Sequence, residues 1–104
     1  MSFSTCGARS FTAISVRKNA PECSGVYGLS NGREWLFVGE ASNIQARLLE
    51  HLEERGTLLT NQRPTGFTFE ECAPGERIPR QSALVRQLHP SCNRSLEYPR
   101  RSAR

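Results

Sequence analysis

No stretch of this 104-residue chain approaches the ~18 consecutive apolar residues that mark a membrane-spanning helix, so no transmembrane segment is expected. Met1 to Arg17 lacks the apolar centre of a secretory signal, which makes a cytoplasmic location the expectation. Close cysteine pairs are also missing. Cys6, Cys23, Cys72 and Cys92 stand at wide, irregular spacings, and the one nearby imidazole is His89, three residues before Cys92. Zinc sites bring at least one close ligand pair, so free thiols in a reducing compartment are the reading. No repeat, linker or low-complexity segment precedes Asn93.

A chain of this length has room for one small domain with a single core. Its net charge of +4 is a modest basic bias, and Arg94, Arg100, Arg101 and Arg104 place much of it in the last eleven residues. Two readings follow: a solvated basic tail that keeps the protein soluble, or a stretch that meets phosphate.

The organising stretch runs from Gly25 to His51 and reads strand, tight turn, strand, helix. Gly25-Val26-Tyr27 opens a β-prone run, Asn31-Gly32 is the dipeptide suited to a type I′ hairpin turn, and Glu34 to Val38 returns, with Gly39 ending the strand. Ser42 or Asn43 can cap a helix from about Asn43 to Arg55, in which Ile44, Leu48 and Leu52 recur every fourth position and Gly56 takes the left-handed turn beyond the end. Glu50, Glu53 and Glu54 are expected to face outward. Arg47 and His51, also four apart, sit ~40° from each other around the helix, beside the apolar stripe. Tyr27 and Phe37 lie on strands that pairing would bring to about 5 Å of one another.

Before this stretch, Met1 to Ala8 is a polar leader and Phe11 to Val16 (FTAISV) is β-prone, a short strand or extended arm broken at Lys18-Asn19-Ala20-Pro21. After it, Thr57 to Thr65 reads as a loop. Gly66-Phe67-Thr68-Phe69-Glu70 alternates as a third strand, and Pro79 suits the first turn of a helix from about Ile78 to Leu88 carrying Ala83, Leu84, Val85 and Leu88, stopped by Pro90.

The order GVY, then FVG, then Arg47 ten residues after Phe37, then His51, resembles the GIY-YIG nuclease family, whose members include the N-terminal incision domain of the bacterial excision-repair nuclease. Pro90-Ser91-Cys92-Asn93 is similar to the Pro-x-x-Asn that closes the family pattern, and the resemblance covers residues 24–93. It implies an α/β domain of the α+β type with a three-stranded antiparallel sheet flanked by helices. The chain then divides into a leader and possible extended arm (1–23), the GIY-YIG-like domain (24–93) and a basic tail (94–104).

The resemblance also implies chemistry. Phosphodiester hydrolysis needs a positioned water, a group to take its proton, positive charge on the phosphoryl oxygens and a metal at the leaving oxygen. Tyr27 would be the water-activating phenol, Arg47 the phosphate clamp and His51 an orienting or proton-accepting partner, with Gly25, Phe37, Gly39 and Asn93 completing the motifs. The family's metal-holding glutamate falls twelve residues before Asn93, on Gln81, with Glu76 and Glu40 as substitute carboxylates. Mg2+ or Mn2+ would be the cofactor and nucleic acid, DNA in particular, the partner. Two parts depart from the pattern: Phe37 lacks a hydroxyl, and the Gln81 amide offers one neutral oxygen where a carboxylate would bring charge. The expectation is therefore a DNA-acting nuclease, a hydrolase of the DNA-repair kind, with impaired or altered activity. The alternative is a catalytically inactive DNA-binding or protein-interaction module.

Each residue has a plainer reading. Tyr27 can be a half-buried strand aromatic, Arg47 a surface partner of Glu50, Gly39 the site of a sharp turn, and Gln81 a solvent-facing helix residue.

Overall fold

In a computed structural model, residues 8–93 are described. Residues 1–7 of the leader, with Cys6, and the tail with Arg94, Arg100, Arg101 and Arg104 lie outside the described residues. The elements are β1 (Arg9–Ser10), α1 (Ala13–Asn19), β2 (Gly25–Ser30), β3 (Trp35–Ala41), α2 (Ile44–Glu53), α3 (Leu58–Asn61), β4 (Gly66–Glu71), a 3-10 turn (Pro74–Glu76) and α4 (Arg77–Leu88).

The stretch expected to be β-prone, Phe11 to Val16, is mostly helical. Thr12 caps α1 by accepting the Ser15 N–H at 3.2 Å, and the cap wins over the β preference of Ile14 and Val16. Strand alternation would put those two side chains on one face. Instead Val16 is fully buried while Ile14 is 79% exposed. Ala20, forced into extended geometry by Pro21, ends the helix. Phe11, Val16 and Ala20 all join the main core.

The sheet is antiparallel in the order β1-β4-β2-β3. It has four strands where three were expected, the addition being β1, which pairs Arg9 with Phe67 and Ser10 with Gly66. The hairpin does not close as a type I′ turn. Of its two central residues only Gly32 takes a positive φ, 89°, and the Asn31 side-chain oxygen accepts the N–H groups of Arg33 and Glu34, each at 3.1 Å. That side-chain closure holds a longer loop. The register then slips, Leu29 facing Phe37 and Ser30 facing Trp35, so consecutive Leu36 and Phe37 both reach one core. Gly39 does not end β3, which continues to Ala41 opposite Gly25.

Asn43 caps α2 by accepting the Ala46 N–H at 2.9 Å, and Gly56 takes φ 73° beyond its end. The expected loop from Thr57 contains α3, held by a reciprocal Thr57–Thr60 capping box with Leu59 buried. On one face of the sheet Tyr27, Leu29 and Phe67 pack with Ile44 and Leu48 of α2 and Val16 of α1. On the other, Val26 and Val38 pack with Leu84 of α4. Two faces covered by helices give the layered α+β arrangement. Among the described residues no helix is long and apolar enough to cross a membrane.

Candidate active site

Tyr27 stands in the middle of β2, its ring on the α2 side of the sheet. Its hydroxyl lies 2.7 Å from His51 Nε2, and only 1% of the residue is exposed. Phe37 completes a cluster of three rings: centroids are 6.1 Å apart for Tyr27 and Phe37, and 5.5 Å for His51 with each of them. His51, at 5% exposure, is therefore walled by aromatic rings. Its Nδ1 lies 3.2 Å from Glu54 Oε1, so Glu54, expected to face outward, turns back over the last turn of α2.

Burial is the main influence on both polar groups. It raises the Tyr27 phenol well above its ordinary value, with the Arg47 charge pulling it part of the way back. It lowers His51, against which Glu54 pushes upward. Both groups are neutral at pH 7.

Arg47 lies further out on α2. Its guanidinium pairs with Glu50 at 2.8 Å, the two side chains being 40% and 65% exposed. A pair so open to water contributes ~0–1 kcal/mol and exchanges readily. Arg47 also lines an open pocket of about 300 Å³ together with Asn43, Glu50, Glu40 and Arg77. Tyr27 does not line this pocket; its phenol is buried in the core.

Gln81 and Asn93 meet instead at the backbone of Val38. Val38 is on β3, the edge strand, and Asn93 serves as its missing neighbour: Asn93 Oδ1 accepts the Val38 N–H at 2.6 Å and Nδ2 donates to the Val38 carbonyl at 2.9 Å. Gln81 Nε2 donates to the same carbonyl at 3.1 Å. Gln81 is thus half-buried against the sheet, and its amide donor is spent on the backbone. Glu40 pairs with Arg77 at 3.2 Å. Glu76 is exposed in the 3-10 turn.

Gly25 and Gly39 are set by contact. A Cβ on Gly39 would collide with the Tyr27 ring and hydroxyl and come within 2.8 Å of Phe37; one on Gly25 would collide with the Glu70 carbonyl and Ile44. Gly39 is therefore a ring-packing position, where the sequence suggested a turn. Sequence reasoning missed Glu54 and Arg77. The three-residue spacing of His51 and Glu54 was the available signal for the first; Arg77 had none.

The donor set does not fit a divalent metal. Magnesium prefers anionic oxygens, whereas Gln81 offers one neutral amide oxygen, its nitrogen donating to the Val38 carbonyl, and Glu40 is paired with Arg77. Among the described residues no group of three or more His, Cys, Asp or Glu is placed to hold a metal ion.

No protein-family profile matches the chain. It is 43% identical over 42 residues to UvrABC system protein C of Hydrogenobaculum sp. (strain Y04AAS1), a match covering 40% of this chain and 7% of that protein. Its fold is similar to the GIY-YIG N-terminal endonuclease domain of UvrC from Thermotoga maritima bound to magnesium, with a TM-score of 0.64 at 20% identity over 74% of this chain and 93% of that one. A point mutant of the same domain, bound to its catalytic divalent cation, gives a TM-score of 0.63 at 20% identity over 74% and 92%.

Proposed function

This chain has the GIY-YIG fold, and from that premise we propose that it is a nuclease-type domain acting on nucleic acid, DNA in particular, with impaired phosphodiester hydrolysis. The observation that carries the reading is the division at β3. On the α2 side the Tyr27–His51 bond is made and Arg47 stands nearby at a pocket; on the α4 side the Gln81 amide is committed to the Val38 carbonyl.

The roles follow from the chemistry of each group. Arg47 keeps its charge at any working pH and presents a planar fork to two phosphate oxygens, exchanging Glu50 for the ligand. Tyr27 takes the proton of the attacking water, and His51 receives the proton that Tyr27 already holds. The leaving oxygen has no counter-charge, since position 81 carries an amide; this is the source of the impairment. Magnesium or manganese, the cofactors of the sequence resemblance, would need a carboxylate there.

The burial of Tyr27 favours a second reading, a cytoplasmic DNA-binding or protein-contact module that does not cut. One comparison separates the two: cleavage of branched and nicked DNA, in magnesium and in manganese, by the unmodified protein, Gln81→Glu, and Gln81→Glu with Arg47→Ala. The single change preserves volume and Asn93 still donates to the Val38 carbonyl, but the new carboxylate must swing away from that carbonyl, so circular dichroism is read alongside cleavage to show that the variant is folded. Weak cutting that rises in Gln81→Glu and vanishes with Arg47→Ala is expected. Robust cutting by the unmodified protein overturns the impairment. No gain in Gln81→Glu, with no DNA bound at low salt, favours the protein-contact module.

A further inference from the structure

We propose that Glu54 is a positioning residue that fixes His51 in the tautomer able to take the Tyr27 proton, an inference that rests on the hydrolytic reading above. The two hydrogen bonds of the imidazole are not independent. An ionised carboxylate only accepts, so the Nδ1 that lies 3.2 Å from Glu54 Oε1 carries the hydrogen. In a neutral ring Nε2 is then an acceptor, and the Tyr27 hydroxyl at 2.7 Å donates to it. Glu54 thereby sets the direction of a hydrogen bond that it does not touch.

The backbone delivers Glu54 to this position. It is the residue at which α2 ends, with φ −67° and ψ 148°, and its own N–H still bonds the His51 carbonyl at 3.2 Å. The side chain leaves the helix over its last turn and stays only 29% exposed, against 4% for the side chain of His51. A carboxylate orienting an imidazole that accepts from a hydroxyl is the logic of an activated hydroxyl generally.

Charge balance gives Glu54 its second task. When the Tyr27 O–H bond breaks and a His51 Nε2–H bond forms, a neutral pair becomes a phenolate and an imidazolium. The imidazolium faces Glu54, and the phenolate lies in the field of Arg47, against which the more distant charges of Glu54, Glu40 and Glu50 act; Glu54 thus serves the pair through the imidazolium it touches. Arg47 and its partner Glu50 are the other charged groups acting on His51, the first disfavouring the charged ring and the second favouring it. Four groups then alternate in sign: Arg47, Tyr27, His51, Glu54. The phenolate takes a proton from the attacking water, whose hydroxide adds to phosphorus as the bond to the leaving oxygen breaks; Tyr27 then gives a proton to that oxygen and recovers its own from His51 Nε2, which returns both groups to neutral.

The test is an NMR measurement of the ring nitrogens of His51 in the uniformly 15N-labelled full chain at pH 7.5, assigned by loss of signal in His51→Gln. The unmodified protein should show the Nδ1–H form almost alone. Glu54→Ala should give a mixture with the Nε2–H form and a lower His51 pKa, and Glu54→Gln, whose amide oxygen still accepts, should restore the tautomer while leaving the pKa low. Far-ultraviolet circular dichroism identifies any variant that has unfolded, and Glu54→Gln provides the same comparison with the least change in shape. A dominant Nε2–H form in the unmodified protein, or a tautomer ratio and pKa unmoved by Glu54→Ala, would overturn the proposal. The measurement needs no DNA, so a chain that never binds nucleic acid would sink the hydrolytic reading while the tautomer result still judged Glu54.

Discussion

Tyr27 and Gly39 are cross-strand partners, and the ring of the tyrosine occupies the space that any side chain at Gly39 would need. The second glycine of the motif is therefore a constraint on the first tyrosine. With a methyl group at position 39, Tyr27 must tilt, and because its hydroxyl is tied to His51 on α2, the displacement reaches the helix.

Gly39→Ala should accordingly destabilise the fold by roughly 1–3 kcal/mol, the usual cost of overpacking a tight site. Urea denaturation measures this, and the His51 ring resonances should shift with it. An unchanged midpoint would mean that the ring can move aside and that the glycine is needed for something else.

The organising hairpin and helix were legible in the sequence because alternation and four-residue spacing report directly on which side chains are buried. Ile44 and Leu48 are buried as their spacing required. The N-terminal segment was not legible in this way: Ile14 and Val16 carry a β preference, and only the Thr12 cap decides for a helix. A two-residue strand such as β1 has no period to detect. At the site, motif spacing brought Tyr27 and His51 together across 24 residues. It could not show Gln81 bonded to a backbone carbonyl 43 residues away, because any residue type can supply that carbonyl. Glu54 was misplaced because its direction depends on where α2 stops, and helix ends are the least determined part of a periodic pattern.

Asn93 should prove structural whatever the protein does to DNA. Removing its side chain leaves a buried Val38 N–H on an edge strand without its acceptor and one donor fewer at the carbonyl. A loss of about 2 kcal/mol is expected for Asn93→Ala, in the range for an orphaned buried donor. Asn93→Asp should not rescue it, since a carboxylate can accept from the N–H but faces the carbonyl oxygen with like charge. Matched urea titrations decide; full stability in the aspartate variant would show that the donor to the carbonyl is dispensable.

Binding of a short DNA duplex should fall steeply as salt rises, and Arg47→Ala should weaken it by a similar factor for unrelated sequences while lowering the salt slope by about one. Removing residues 94–104, which carry Arg94, Arg100, Arg101 and Arg104, should reduce the slope further. Fluorescence anisotropy across a salt series reads both. A slope untouched by either change would place the phosphate contacts elsewhere on the domain.

The pH dependence of stability tests whether His51 is held neutral. Burial lowers its pKa in the folded state, whereas the unfolded chain titrates near the ordinary value of ~6.5. Below that value the unfolded state binds a proton that the folded state refuses, so stability falls as pH falls. The contribution of His51 is thus fully present above about pH 6.5 and is lost as pH falls through the folded value. The structural cost of forcing protonation is specific: a charged ring donates from both nitrogens, so Nε2–H would point at the Tyr27 hydroxyl, which must then surrender the hydrogen bond it donates. Glu54 partly offsets this by favouring the charged ring, which predicts a steeper acid loss in Glu54→Ala than in the unmodified protein. His51→Gln, which can still accept from Tyr27 but does not titrate, should show the shallowest dependence of the three. Urea midpoints between pH 7.5 and pH 5 provide the comparison. If His51→Gln loses stability as steeply as the unmodified chain, the acid sensitivity belongs to other groups, and the imidazole is not kept neutral by its surroundings.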